Sequence, residues 1–140
     1  MFKMIDKYLY LLETGGILYY VIELLWRGHS HYAMAIVGGI AFVLVGLINE
    51  FVLTYSMPLW IQMLISSGTI TTLEFVSGMI LNLWLRLNIW DYSNLPFNFM
   101  GQICLSFSVA WFFLSLVAIL LDDWMRYLFF GEERPHYQIF

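Results

Sequence analysis

Two carboxylates fall inside long apolar runs, Glu50 and Glu74, and these are the residues best placed to do chemistry. A charge at the centre of a bilayer costs at least about 2.5–3.5 kcal/mol, so such residues face a protein interior or water and mark a pathway or a site. Asn49 precedes Glu50. Glu74, Gly78 and Asn82 recur at i, i+4 and i+8, which puts them on one face of a helix. Glu50 and Glu74 are therefore read as lining a substrate or ion pathway, with Asn49 and Asn82 beside them. Packing through a protonated or hydrogen-bonded carboxyl is the competing reading, and Glu50 is near enough to its helix end to reach water. Glu23 belongs to the same candidate set. It stands four residues before Arg27, the favourable order for an ion pair along a helix.

His29 and His31 follow Arg27 after one glycine, spaced by two. With Glu23 they offer three potential ligands, but two histidines in one turn are too few to assign a metal site, and none is expected. No cofactor is expected either. The chain has no Gly-x-Ser-x-Gly elbow, no Cys-x-x-Cys, no His-Glu-x-x-His and no Gly-x-x-x-x-Gly-Lys-Ser/Thr phosphate loop. It is read as a non-enzyme that cannot hydrolyse ATP by the phosphate-loop route. Cys104 is the single cysteine, in an apolar run, and reads as helix packing. With a net charge of −4 and no basic stripe, nucleic acid is not an expected partner.

The elements that must position these residues are membrane helices. Of 140 residues, 61% are hydrophobic and 11% charged, whereas soluble domains have about 45–50% and about 25%. A water-soluble fold of this size could not hide so much apolar surface. Four runs reach the roughly 20 residues a spanning helix needs: 8–26, 32–55, 58–87 and 99–121. The expected fold is all-α, a four-transmembrane-helix bundle over residues 1–130 with a polar tail at 131–140. Continuous apolar runs exclude the ten-residue alternation of a membrane β-barrel. The third run, thirty residues and about 45 Å as a helix, is long enough either to tilt or to break. Ser66-Ser67-Gly68-Thr69 is the soft spot, and Thr71 with Glu74 reads as a capping box.

With four spans, both termini share one side. That side carries Lys3, Lys7, Arg126 and Arg134, against Arg27 and Arg86 on the other, which favours cytoplasmic termini in a multi-pass cell-membrane protein. Four helices leave little room for an internal pathway. Gly38, Gly39 and Gly46 favour close helix contacts, so a homo-oligomer in the lipid bilayer is expected.

The loop before the fourth run carries the most distinctive string, Trp90-Asp91-Tyr92-Ser93-Asn94-Leu95-Pro96-Phe97-Asn98, continuing through Gly101-Gln102-Ile103-Cys104-Leu105. Asp91, Ser93 and Asn94 suit turns, Pro96 stiffens the re-entry, and Arg86 lies about one turn before Asp91, a potential ion-pair partner. Trp90, Tyr92 and Phe97 read as interfacial anchors. The loop is read either as a helix-connecting turn or as a lid over the bundle, with Asn98 closing the motif. This string resembles the signature of a bacterial family described as putative ABC-transporter type IV, or putative ABC transporter permease. Glu74-Phe75 matches that family's acidic-aromatic pair upstream, and the resemblance is best over residues 73–111. The segment from Glu23 to His31 looks like a short version found in Firmicutes and their phages. The resemblance implies a transport role. With no nucleotide-binding segment, that role would need an oligomer, a separate ATPase or another membrane partner. Two further readings stay open: a phage holin-like pore former, and a structural or regulatory membrane subunit.

Overall fold

A computed structural model describes residues 2–28, 30–48 and 57–137. His29, Asn49 and Glu50 lie outside them, and so do residues 51–56. Four α-helices carry the described chain: α1 (Phe2–Arg27), α2 (Tyr32–Leu47), α3 (Leu59–Gly78) and α4 (Leu105–Phe130). A π-helical stretch, Met79–Trp84, extends α3. A two-stranded hairpin, β1 (Asn98–Phe99) and β2 (Ile103–Cys104), precedes α4.

Three of the four expected spans have full membrane length and apolarity: Met4–Arg27, Leu59–Trp84 and Leu105–Phe130. The described part of α2 has 16 residues, about 24 Å, short of a roughly 30 Å hydrocarbon core. Residues 49–55 of that expected span fall outside the described chain.

Polarity is distributed as lipid requires. Gln62, Ser66 and Ser115 are fully buried, while Leu25, Phe113 and Leu128 stand on the outside. In hydrocarbon there is no penalty for an outward leucine, and interfaces between helices collect small and hydrogen-bonding side chains instead. α1 and α2 form an antiparallel pair, because Gly15 lies against Phe42 while Gly38 lies against Tyr19. Leu11, Phe42 and Met125 join this pair to α4, and Val45, Met63 and Ile119 join α2, α3 and α4.

The third run does not break at its serines. α3 is continuous through them. The Ser67 hydroxyl donates to the Ser108 carbonyl oxygen at 2.6 Å, and the Thr71 hydroxyl bonds that of Ser108 at 2.8 Å. The expected soft spot is polar glue between α3 and α4, and Thr71 is mid-helix rather than a cap. The irregularity comes later, in the π-helical turns, after which the chain leaves the helix. Arg86 and Asn88 then take positive φ, and so do Phe97 and Met100 further on. Non-glycine residues in this region cost about 1–3 kcal/mol each, so the loop must be held by contacts outside itself.

α4 is displaced towards the C-terminus from the expected 99–121. Residues 98–104 are hairpin, and the helix runs on to Phe130, ending at Gly131 in the left-handed conformation (φ 67°). Arg126, expected in water with the terminal cations, lies inside the bundle. It pairs with Asp122 at 2.8 Å and with Asp123. Gly46 makes room for this cluster: a Cβ there would enter the Asp122 carboxylate. The tail also differs from a free polar extension. Glu132 bonds Lys7 at 3.2 Å, and the Tyr137 hydroxyl donates to Asp123 at 2.9 Å. Tyr10 packs against Phe129 and Phe130, so the start of α1 and the end of α4 meet at one end of the bundle.

Candidate functional site

Glu74 is buried, on the α3 face that also buries Gly78 and Asn82, as the i, i+4, i+8 spacing predicts. Its carboxylate accepts from the Tyr92 hydroxyl at 2.9 Å and from the Trp111 indole N–H at 3.3 Å. Both donors are neutral. α4 supplies Trp111, and the loop after the π-helix supplies Tyr92.

Asn82 fixes that loop. Its side-chain carbonyl accepts from the backbone N–H groups of Ile89 (2.8 Å) and Trp90 (3.4 Å), and its amide donates to the Gln102 side-chain oxygen at 2.8 Å. The Trp90 indole N–H donates to the Gln102 carbonyl at 3.0 Å. Gly78 has no side chain to separate α3 from this layer, since a Cβ would meet Gln102 Oε1 at 2.5 Å and Trp90 at 3.1 Å. Asp91 makes an Asx-type turn, accepting from the Ser93 N–H at 2.9 Å and from its hydroxyl. Those two bonds hold the Asp91 carboxyl below its usual range. Asn98 closes the other side: its amide donates to the Leu95 carbonyl at 2.8 Å, and its oxygen accepts from the Gly101 N–H at 3.1 Å.

The loop thus folds onto the bundle. Trp90 is buried and Tyr92 half-buried, facing the interior rather than anchoring the interface, while Phe97 is exposed. Tyr92 stacks on Phe107 at 4.7 Å. Burial, and then the Glu74 carboxylate, push the Tyr92 phenol up, which keeps its proton in place for donation. Asn94 and Pro96 are exposed on the outer surface of the loop. Arg86 is also exposed, and among the described residues it makes no ion pair with Asp91.

Glu23 and Arg27 form the expected ion pair along α1, and Arg27 also donates to the Ile89 carbonyl at 3.4 Å. His31 caps α2, its ring Nδ1 accepting from the Ala33 N–H at 3.1 Å. Among the described residues no group of three His, Cys, Asp or Glu could hold a metal ion.

These residues enclose a cavity of about 540 Å³, lined by Tyr19, Glu23, Glu74, Trp90, Tyr92 and Trp111 among others. The structure therefore brings Glu23, Glu74, Trp90 and Tyr92 together, with Asn82 directly behind the loop. Tyr19, Gln102, Phe107 and Trp111 were not legible as site residues from the sequence. An aromatic residue in a lipid-length apolar run carries no mark of which way it points. The Asp122–Asp123–Arg126 cluster did carry a signal: Asp122 and Arg126 have the same i, i+4 spacing that identifies Glu23 with Arg27, and Asp123 adds an i, i+3 partner.

A family model described as Putative ABC-transporter type IV matches residues 10–131. No curated protein and no solved structure matches the chain.

Proposed function

The chain belongs to the Putative ABC-transporter type IV family, and on that basis we propose that it is a membrane transport component whose pathway runs past Glu74. The observation that carries the reading is a buried carboxylate on the wall of a cavity, bonded by two neutral donors. Intramembrane carboxylates placed in this way hold or relay charge. Glu23 and Asn82 contribute to the same region. Asn49 and Glu50, outside the described residues, remain in the proposed pathway set.

The chain has no phosphate loop, so energy would come from a separate ATPase or from an ion gradient. The proposed arrangement has both termini in the cytoplasm and more than one chain per complex. Light scattering of the detergent complex should give a mass above one chain; a monomer throughout would count against the assembly.

Glu74→Gln preserves shape: its oxygen can accept from the Trp111 indole N–H while its NH2 donates to the Tyr92 hydroxyl oxygen. The variant should express and assemble like the parent. In cells compared by mass spectrometry for accumulated ions and metabolites, the parent should shift the solute profile relative to an empty vector, and Glu74→Gln should return it. A variant that assembles normally and keeps the parent's profile would refute a transport role for the carboxylate.

A further inference from the structure

The cavity beside Glu74 has a charge pattern that selects a ligand. Three charged side chains line it: Glu23, Arg27 and Glu74. Arg27 is committed to Glu23 by a direct ion pair. Glu74 is met by a phenol and an indole, neither of which carries charge. With both carboxylates ionised, the lining is one negative charge in excess. Its other side chains are apolar or aromatic, with Tyr19, Trp26, Trp90, Tyr92, Phe107 and Trp111 contributing rings. Aromatic faces attract cations, most strongly where water is excluded.

The position of the opening adds a second constraint. Ile22 and Trp26 of α1 and Phe113 and Val117 of α4 line the cavity and are also exposed on the outer surface. The helices touch at their far ends, through Tyr10 with Phe129 and Phe130. The cavity therefore opens sideways between α1 and α4, where acyl chains lie, and not only towards water. A second apolar cavity, lined by Leu18 and Ile22 on α1 and Leu114 and Leu121 on α4, extends the same cleft. The cavity beside Glu74, at about 540 Å³, falls within the roughly 300–1,000 Å³ of small-molecule sites.

We propose that this cavity binds a lipophilic monocation, a delocalised or quaternary cation carried on aromatic or alkyl groups, which enters from the bilayer between α1 and α4. A hydrated metal ion finds too few oxygen ligands here, and an anion meets Glu74. The proposal deepens the transport reading by naming the ligand class of the same site.

The test is direct binding of tetraphenylphosphonium to the purified full chain in lipid nanodiscs, followed by tryptophan quenching and by calorimetry. The parent should bind it saturably. Glu74→Gln should weaken binding about tenfold or more, the equivalent of roughly 1.4 kcal/mol. Val117→Trp, at a lipid-exposed rim that leaves the core untouched, should also weaken it. The uncharged triphenylphosphine oxide should bind far less well than the cation. Absence of saturable binding by the parent overturns the proposal, as does equal binding of the neutral compound. Unchanged affinity in both variants overturns it too. Binding that depends on Glu74 in a chain that alters no solute profile would sustain the ligand class and defeat the transport reading. A Glu74-dependent solute profile without phosphonium binding would do the reverse.

Discussion

Arg126→Met is expected to lose about 3–5 kcal/mol of stability, the usual consequence of removing one partner from a buried charge cluster. Arg126 is 3% exposed, and Asp122 and Asp123 beside it are at most 1% exposed. Its guanidinium reaches Asp122, Asp123 and Glu132, and also donates to the Gly46 carbonyl at 3.4 Å. Methionine fills much of the same volume but leaves two carboxylates without their cation in a space too tight for water to follow, since Gly46 already lies against Asp122. Thermal unfolding in detergent should show the loss as a marked fall in midpoint. The variant that also carries Asp122→Asn and Asp123→Asn should recover much of it, because the uncompensated charge is then gone. If Arg126→Met melts with the parent, the cluster is not what holds α4 to α2.

Asn82→Leu is expected to release the loop from the bundle. One side chain satisfies two backbone N–H groups and one amide oxygen. Leucine satisfies none of them, and each buried polar group left unpaired costs about 1–3 kcal/mol. The loop has little local stability to resist, since four of its residues already hold positive φ without being glycine. Amide exchange at Ile89 and Trp90 should rise sharply while exchange in the middle of α1 and α4 stays slow, and Trp90 emission should shift to the red. Global unfolding would assign Asn82 to the core of the fold. Unchanged exchange at both amides would show that the loop is held by other bonds.

The sequence made the membrane class and the helix count readable, because apolar runs and the scarcity of charge are properties of composition. It also made the inward face of Glu74, Gly78 and Asn82 readable, because helical periodicity fixes which residues share a face. Helix ends were less legible. The aspartates at 122 and 123 look like the edge of a span, yet the pairing with Arg126 lets α4 carry them inside. Residues 99–104 show the converse, a largely apolar stretch that forms a hairpin instead of helix. Ser66 to Thr69 looked like a weak point because serine and glycine disfavour helices in water. Between packed membrane helices, Ser67 and Thr71 find a partner in Ser108. The aromatic wall of the cavity depends on which way rings turn, and that is set by the loop folding back, which no local pattern encodes.

The span of sequence between partners has a consequence for biosynthesis. The cation for Asp122 and Asp123 stands four and three residues away on the same helix, and Glu23 has Arg27 four residues away. These carboxylates can leave the ribosome with a cation already beside them, before any neighbour exists. Glu74 cannot. Its donors are 18 and 37 residues further along the chain. When α3 is handed to the insertion machinery, the carboxyl has nothing to bond, and it must be protonated or kept in a hydrated channel until Tyr92 and Trp111 are synthesised. The carboxyl proposed to serve transport is thus the one whose insertion has to wait for the last helix.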